Sequence, residues 1–160
     1  ENLPEFEKRF FNNLEMLIER INKLKEEKHG TLDYWTYYDS VLTQLRAICI
    51  ENPKLKNNHT IQVYLKSIGQ EEVIDKIEKY FDQEFFNGIS LREAIKISVD
   101  KFIVHYDEVS PEEVSIEHLC RCKLTEEDSD FYIGNILKYL LQAQMKANLK
   151  AWEEKYKNQK

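Results

Sequence analysis

Ser90 to Asp107 reads SLREAIKISVDKFIVHYD, and this stretch decides the fold. Ser90 followed three residues later by Glu93 is a capping-box pattern, which marks a helix start. From that start Leu91, Ile95, Ser98, Phe102 and His105 recur at three- and four-residue steps, so they trace one face of a helix. A titratable imidazole closes an otherwise apolar stripe, with Tyr106 and Asp107 immediately after it.

The flanking sequence repeats the helical pattern. Phe6, Phe10, Leu14, Leu17, Ile21 and Leu24 form a stripe over a first helix from Pro4 to Lys28, with Pro4 fitting its first turn and Gly30 its stop. Thr31 then caps a second helix, Leu32 to Glu51. Its start carries Tyr34, Trp35, Tyr37 and Tyr38, which suits base stacking, packing at a bundle end or a dimer contact. Pro53 breaks a polar loop. Short helices follow over Thr60–Ile68 and Glu71–Phe81, separated by Gly69, and Phe85–Ile89 turns the chain into the Ser90 helix. Regularity lapses at Ser110 and Pro111, and another short helix is expected around Ser115–Cys122. Thr125 with Asp128 reads as the cap of a last helix running through Phe131, Ile136, Tyr139, Leu140, Ala143 and Ala147 to Trp152.

The expected fold is therefore all-α: a single domain over residues 1–160, an up-and-down bundle of about four main long helices with short helical insertions. Composition agrees, since 4 Gly and 3 Pro are too few for a turn-rich β fold and 42% hydrophobic residues supply a core.

Several function classes fall away. The net charge of −6 argues against a generally basic nucleic-acid binder but leaves room for a local basic cluster. No apolar run approaches the roughly 20 residues of a membrane span, and no signal peptide is visible from Glu1, so a cytoplasmic protein is expected. Cys49, Cys120 and Cys122 are an odd number, which suits reduced thiols better than a disulfide framework. His118 beside Cys120 and Cys122 lacks the C-x2-C spacing of a closed zinc site, so neither metal nor cofactor is expected. There is no Gly-rich phosphate loop and no serine or cysteine triad pattern. The acidic pairs at Glu71–Glu72 and Glu126–Glu127 fall in first turns, where the helix dipole accounts for them.

His105 then has two readings. It closes the apolar face and bonds a carbonyl or Asp107, or it moves a proton near neutral pH. Lys101, four residues earlier, shares its side of an α-helix, and Asp107 is placed to orient the ring once the helix has ended.

The run Asp100-Lys101-Phe102-Ile103-Val104-His105-Tyr106-Asp107 resembles the signature end of a HEPN domain, an all-α family of toxin and phage-defence systems. Leu45–Glu51 on the second helix, followed by Thr60–Leu65 after a polar loop, resembles the abortive-infection branch of that family, so the likeness covers roughly residues 31–107. It implies metal-free RNA cleavage: the ribose 2′-hydroxyl attacks the adjacent phosphate, a histidine moves the proton, and an arginine in an R-x4-6-H motif steadies the charge. It also implies a homodimer whose two motifs share a cleft. In this chain the permitted arginine positions hold Ser98, Val99 and Asp100; Lys101 is one residue too close and Arg92 too far. Arg46 of the neighbouring helix is the candidate to stand in. The resemblance thus implies a catalytic set of His105, Lys101 and Asp107, with Arg46, Arg92 and Tyr106 toward RNA or a nucleotide, and an antitoxin-like or other protein as a further partner. The competing reading is a non-catalytic helical interaction module in which His105 only packs. A basic cleft around His105 favours the first; an acidic or closed surface favours the second.

Overall fold

The first apolar stripe builds α1, Glu5–Glu26, which buries Phe10, Leu14, Leu17, Ile21 and Leu24. The structure, a computed structural model, describes residues 5–51, 60–105, 108–127 and 133–157, with side chains from Lys8 onward. Gly30 turns the chain after α1 at φ 85°, a conformation any side chain would strain. Thr31 then caps α2, Leu32–Leu45, by accepting from the Tyr34 amide at 3.2 Å.

The second helix does not stay α-helical to its end. Residues Arg46–Ile50 are wound as a π-helix, and the Glu51 amide donates to the Arg46 carbonyl, five residues back, at 2.9 Å. The Ser90 helix does the same. Its α part, α5, spans Leu91–Ile97 behind the expected Ser90–Glu93 capping box, and Ser98–Val104 continue it as a π-helix. Wider winding shifts every side chain after Ile97. Leu91, Ile95 and Ser98 are buried as the stripe requires, but Val99 is buried too, Phe102 is half-buried and His105 is exposed.

Between these helices lie α3, Ile61–Ser67, capped by Thr60, and α4, Glu71–Asp82, which buries Val73, Ile77 and Phe81. Phe10 stacks on Tyr64 at 4.7 Å and so ties α1 to α3, worth about 1 kcal/mol beyond the area buried. Phe85–Ile89 is a hairpin, β1 Glu84–Phe86 against β2 Ile89–Ser90. Asn87 and Gly88, at φ 46° and 80°, make the tight turn that suits the strands' twist.

The helix expected around Ser115–Cys122 is longer. Pro111 occupies its first turn and Ser110 with Glu113 forms a second capping box, so α6 runs Pro111–Lys123. The last helix, α7, is described over Ile133–Lys157; Asp128 and Phe131, and with them the proposed Thr125 cap, lie outside the described residues. α1 packs against α2, α3 and α7, while α4 touches α3, α5 and α7. α5 lies between α4 and α6, and its π segment reaches α2. The fold is an all-α helical bundle with one small hairpin. No helix among the described residues is long and apolar enough to cross a membrane.

Candidate functional site

The two π-helical segments are joined through Arg46. Its Nε donates to Asp100 Oδ1 at 2.7 Å and its Nη2 to Asp100 Oδ2 at 3.1 Å, a two-pronged ion pair between α2 and the α5 continuation. Its Nη1 donates to Glu51. The Asp100 hydrogen bonds, followed by those of Glu51, hold the guanidinium above its already high pKa. Asp100 occupies one of the three positions where the HEPN motif carries arginine. The position itself holds a carboxylate, and the Arg46 guanidinium of the neighbouring helix lies against it. π-helical winding is rare and recurs at functional sites, so two such segments meeting at one ion pair mark this junction.

The other two motif positions serve the interior. Val99 is buried in the core. Ser98, fully buried, donates through Oγ to Glu117 of α6, whose other oxygen accepts from Arg121 Nε at 2.6 Å. Arg121 extends the chain to Asp39 at 3.4 Å and lies over the rings of Trp35, at 4.9 Å, and Tyr38, at 5.3 Å. Burial raises the Asp39 carboxyl above the usual aspartate value, against the pull of Arg121. This network places the aromatic start of α2. Tyr34 and Tyr38 are buried, and the half-buried Trp35 and Tyr37 pack against the core from its edge.

His105 sits one residue past the π segment in extended backbone, φ −120° and ψ 141°, and its side chain is exposed. α geometry, in which residues four apart share a side, ends at Ile97, and Lys101 is half-buried within the π-wound turn. Tyr106 and Asp107 lie outside the described residues. Arg92 belongs to a different place. Its Nη2 donates to Glu78 at 2.7 Å and its Nε to Asp82 at 2.8 Å, and it covers Phe81 at 5.7 Å, so it clasps α5 onto α4. Thirteen residues of helix separate it from His105, on the order of 20 Å. The structure thus joins Arg46 to Asp100 on the π-wound end of the central helix, one residue before Lys101 and five before the exposed His105, and leaves Arg92 at its other end.

Gln62 was not singled out by its sequence context. It lies buried between α2 and α4, donating to the Cys49 carbonyl at 2.6 Å and to Glu78 at 2.7 Å. The first bond satisfies a carbonyl that the end of the π-helix leaves without a helical partner. Glu117 was likewise missed; the one signal was Ser98, a polar residue in an apolar stripe that needed a buried partner.

Two of the three cysteines, Cys49 and Cys120, are buried. Burial pushes the Cys49 thiol up to about 12 and raises that of Cys120 as well. Cys122 is exposed, with its sulfur 3.7 Å from His118 Nε2. Among the described residues no group of three or more His, Cys, Asp and Glu side chains could hold a metal ion. A cavity of about 170 Å³ lies at the end of the bundle near Leu24, His29, Tyr34 and Thr125, and its lining includes none of Arg46, Lys101 and His105. No family model matches the chain, and neither a curated protein nor a solved structure matches it.

Proposed function

We propose that this chain is a HEPN-like, RNA-directed protein of a toxin or phage-defence type system, which meets an RNA phosphate at the end of its central helix. The observation that supports this reading is the Arg46–Asp100 ion pair, which sets a guanidinium against the segment that ends in the exposed His105. Arginine's planar fork suits a phosphate, and His105 is exposed to solvent five residues beyond Asp100. Where cleavage occurs, the 2′-oxygen bonds to the adjacent phosphorus as the P–O5′ bond breaks, leaving a 2′,3′-cyclic phosphate and a 5′-hydroxyl. His105 takes the 2′ proton, water protonates the departing 5′-oxygen and the Arg46 guanidinium steadies the phosphorane charge. A second copy of the chain is the further partner, and a cytoplasmic setting fits a protein directed at RNA.

A second reading has its own support. Arg46 already faces two carboxylates, as does Arg92, and a cation so compensated draws RNA weakly. That balance favours a helical module that binds another protein. Labelled RNA incubated without metal, beside His105→Ala, separates the two. The RNA reading expects retention of RNA at low salt, and in its enzymatic form a cyclic-phosphate product that the folded His105→Ala protein no longer makes. Neither binding nor cleavage at low salt overturns it in favour of the interaction module.

A further inference from the structure

Two metal-ligating side chains meet on α6, outside the site described above. His118 and Cys122 are four residues apart on that helix and both exposed, while Ile116, Glu117 and Cys120 take its buried face. Residues at that spacing stand one above the other on an α-helix. The Cys122 sulfur lies 3.7 Å from His118 Nε2, so thiol and imidazole come together on the solvent side of the helix. The other two thiols, Cys49 and Cys120, are buried.

We propose that His118 and Cys122 form an open chelate for a thiophilic divalent cation of the zinc class. Zinc sits about 2.3 Å from a thiolate sulfur and about 2.0–2.1 Å from an imidazole nitrogen, which sets two ligands of a tetrahedral ion about 3.6 Å apart. The 3.7 Å between Sγ and Nε2 is close to that separation, so the ion enters with little movement of either side chain. The four-residue spacing is the one by which helical zinc motifs place two histidines on a single ion. Sulfur together with imidazole selects zinc-like ions over magnesium or calcium. The missing C-x2-C spacing excludes a closed four-ligand site and leaves this open one, with water completing the tetrahedron. Binding displaces the Cys122 thiol proton to solvent and uses the Nε2 lone pair, so neither oxidant nor reductant is consumed. Half the ligands of a closed site hold roughly half its binding free energy, and a dissociation constant of about 1–100 μM is expected.

Neither residue belongs to the Arg46–His105 region, so the chelate is independent of the RNA reading. Titration of the reduced full chain with Cd2+, read by cadmium–thiolate charge-transfer absorbance and with Zn2+ as competitor, tests it. The parent is expected to bind one Cd2+, which Zn2+ displaces. Cys122→Ser should abolish the band and His118→Gln should weaken binding at least about tenfold, both with an unchanged helical circular-dichroism spectrum. Zn2+ should also slow iodoacetamide labelling of Cys122 in the parent, a measurement that needs no variant. A parent without the band up to about 500 μM Cd2+ overturns the site, as does Cys122 labelling that is as fast with Zn2+ as without. A band that survives in Cys122→Ser overturns the assignment to this thiol, and undiminished affinity in His118→Gln overturns the chelate.

Discussion

Ser98 shows how far one residue can reach. Its hydroxyl meets Glu117, which meets Arg121, which covers Trp35 and Tyr38, so a single small side chain links the π-wound end of the central helix to α6 and α2. Ser98→Ala leaves a buried carboxylate short of a donor and should cost about 1–3 kcal/mol, measured by urea unfolding. Glu117→Gln should cost less, because the amide still offers partners to both neighbours while giving up the charge that Arg121 holds. The thiols offer a second check at this scale. At pH 8 only the thiolate alkylates, and burial holds Cys49 in its thiol form with a pKa pushed up to about 12. Mass spectrometry of the native protein after brief iodoacetamide treatment should find Cys122 modified and Cys49 and Cys120 protected; early labelling of Cys49 would contradict the packing of the π segment around it.

At the scale of elements, the sequence was legible wherever burial follows an α-helical period. The α1 stripe from Phe10 to Leu24, the Ser90 cap and the break at Gly69 all stand where periodicity and capping place them. Two further signals are present in the sequence. Asn87-Gly88 between apolar residues is a hairpin turn, and Ser110-Pro111-Glu112-Glu113 carries both a capping box and a first-turn proline. Gly88→Ala tests the first: at φ 80° a Cβ strains the turn and should lower stability by about 1 kcal/mol. Ser110→Ala tests the second and should cost about 1 kcal/mol through the lost cap, read from the same unfolding curves. The π-helical windings were not legible at all. A period of 3.6 residues contains no sign of where i→i+5 bonding begins, and this is why Phe102 and His105 were placed on a buried face they do not share with Leu91 and Ile95. The candidate site was half legible for the same reason. Arg46 could be named from its helix, yet its partnership with Asp100, 54 residues away, exists only once the two π segments are packed together.

Across the whole molecule, the arginines show how an acidic protein with a net charge of −6 organises its positive charge. Arg92 clasps α4 to α5, Arg121 joins α2 to α6, and Arg46 joins the two π-wound helix ends. The first two are fixed within the bundle's own contacts. Arg46 lies at the end that displays His105, and a phosphate there would compete with Asp100 and Glu51 for its donors. Asp100→Asn should release the guanidinium and tighten RNA binding, which is the reverse of what loss of a purely structural ion pair would do. The most direct test is RNA affinity at two salt concentrations for the parent protein and Arg46→Gln, with folding checked by circular dichroism. The RNA-directed reading predicts that Arg46→Gln weakens binding about tenfold and lowers the salt slope by about one ion. An affinity and a slope identical to the parent's would contradict it.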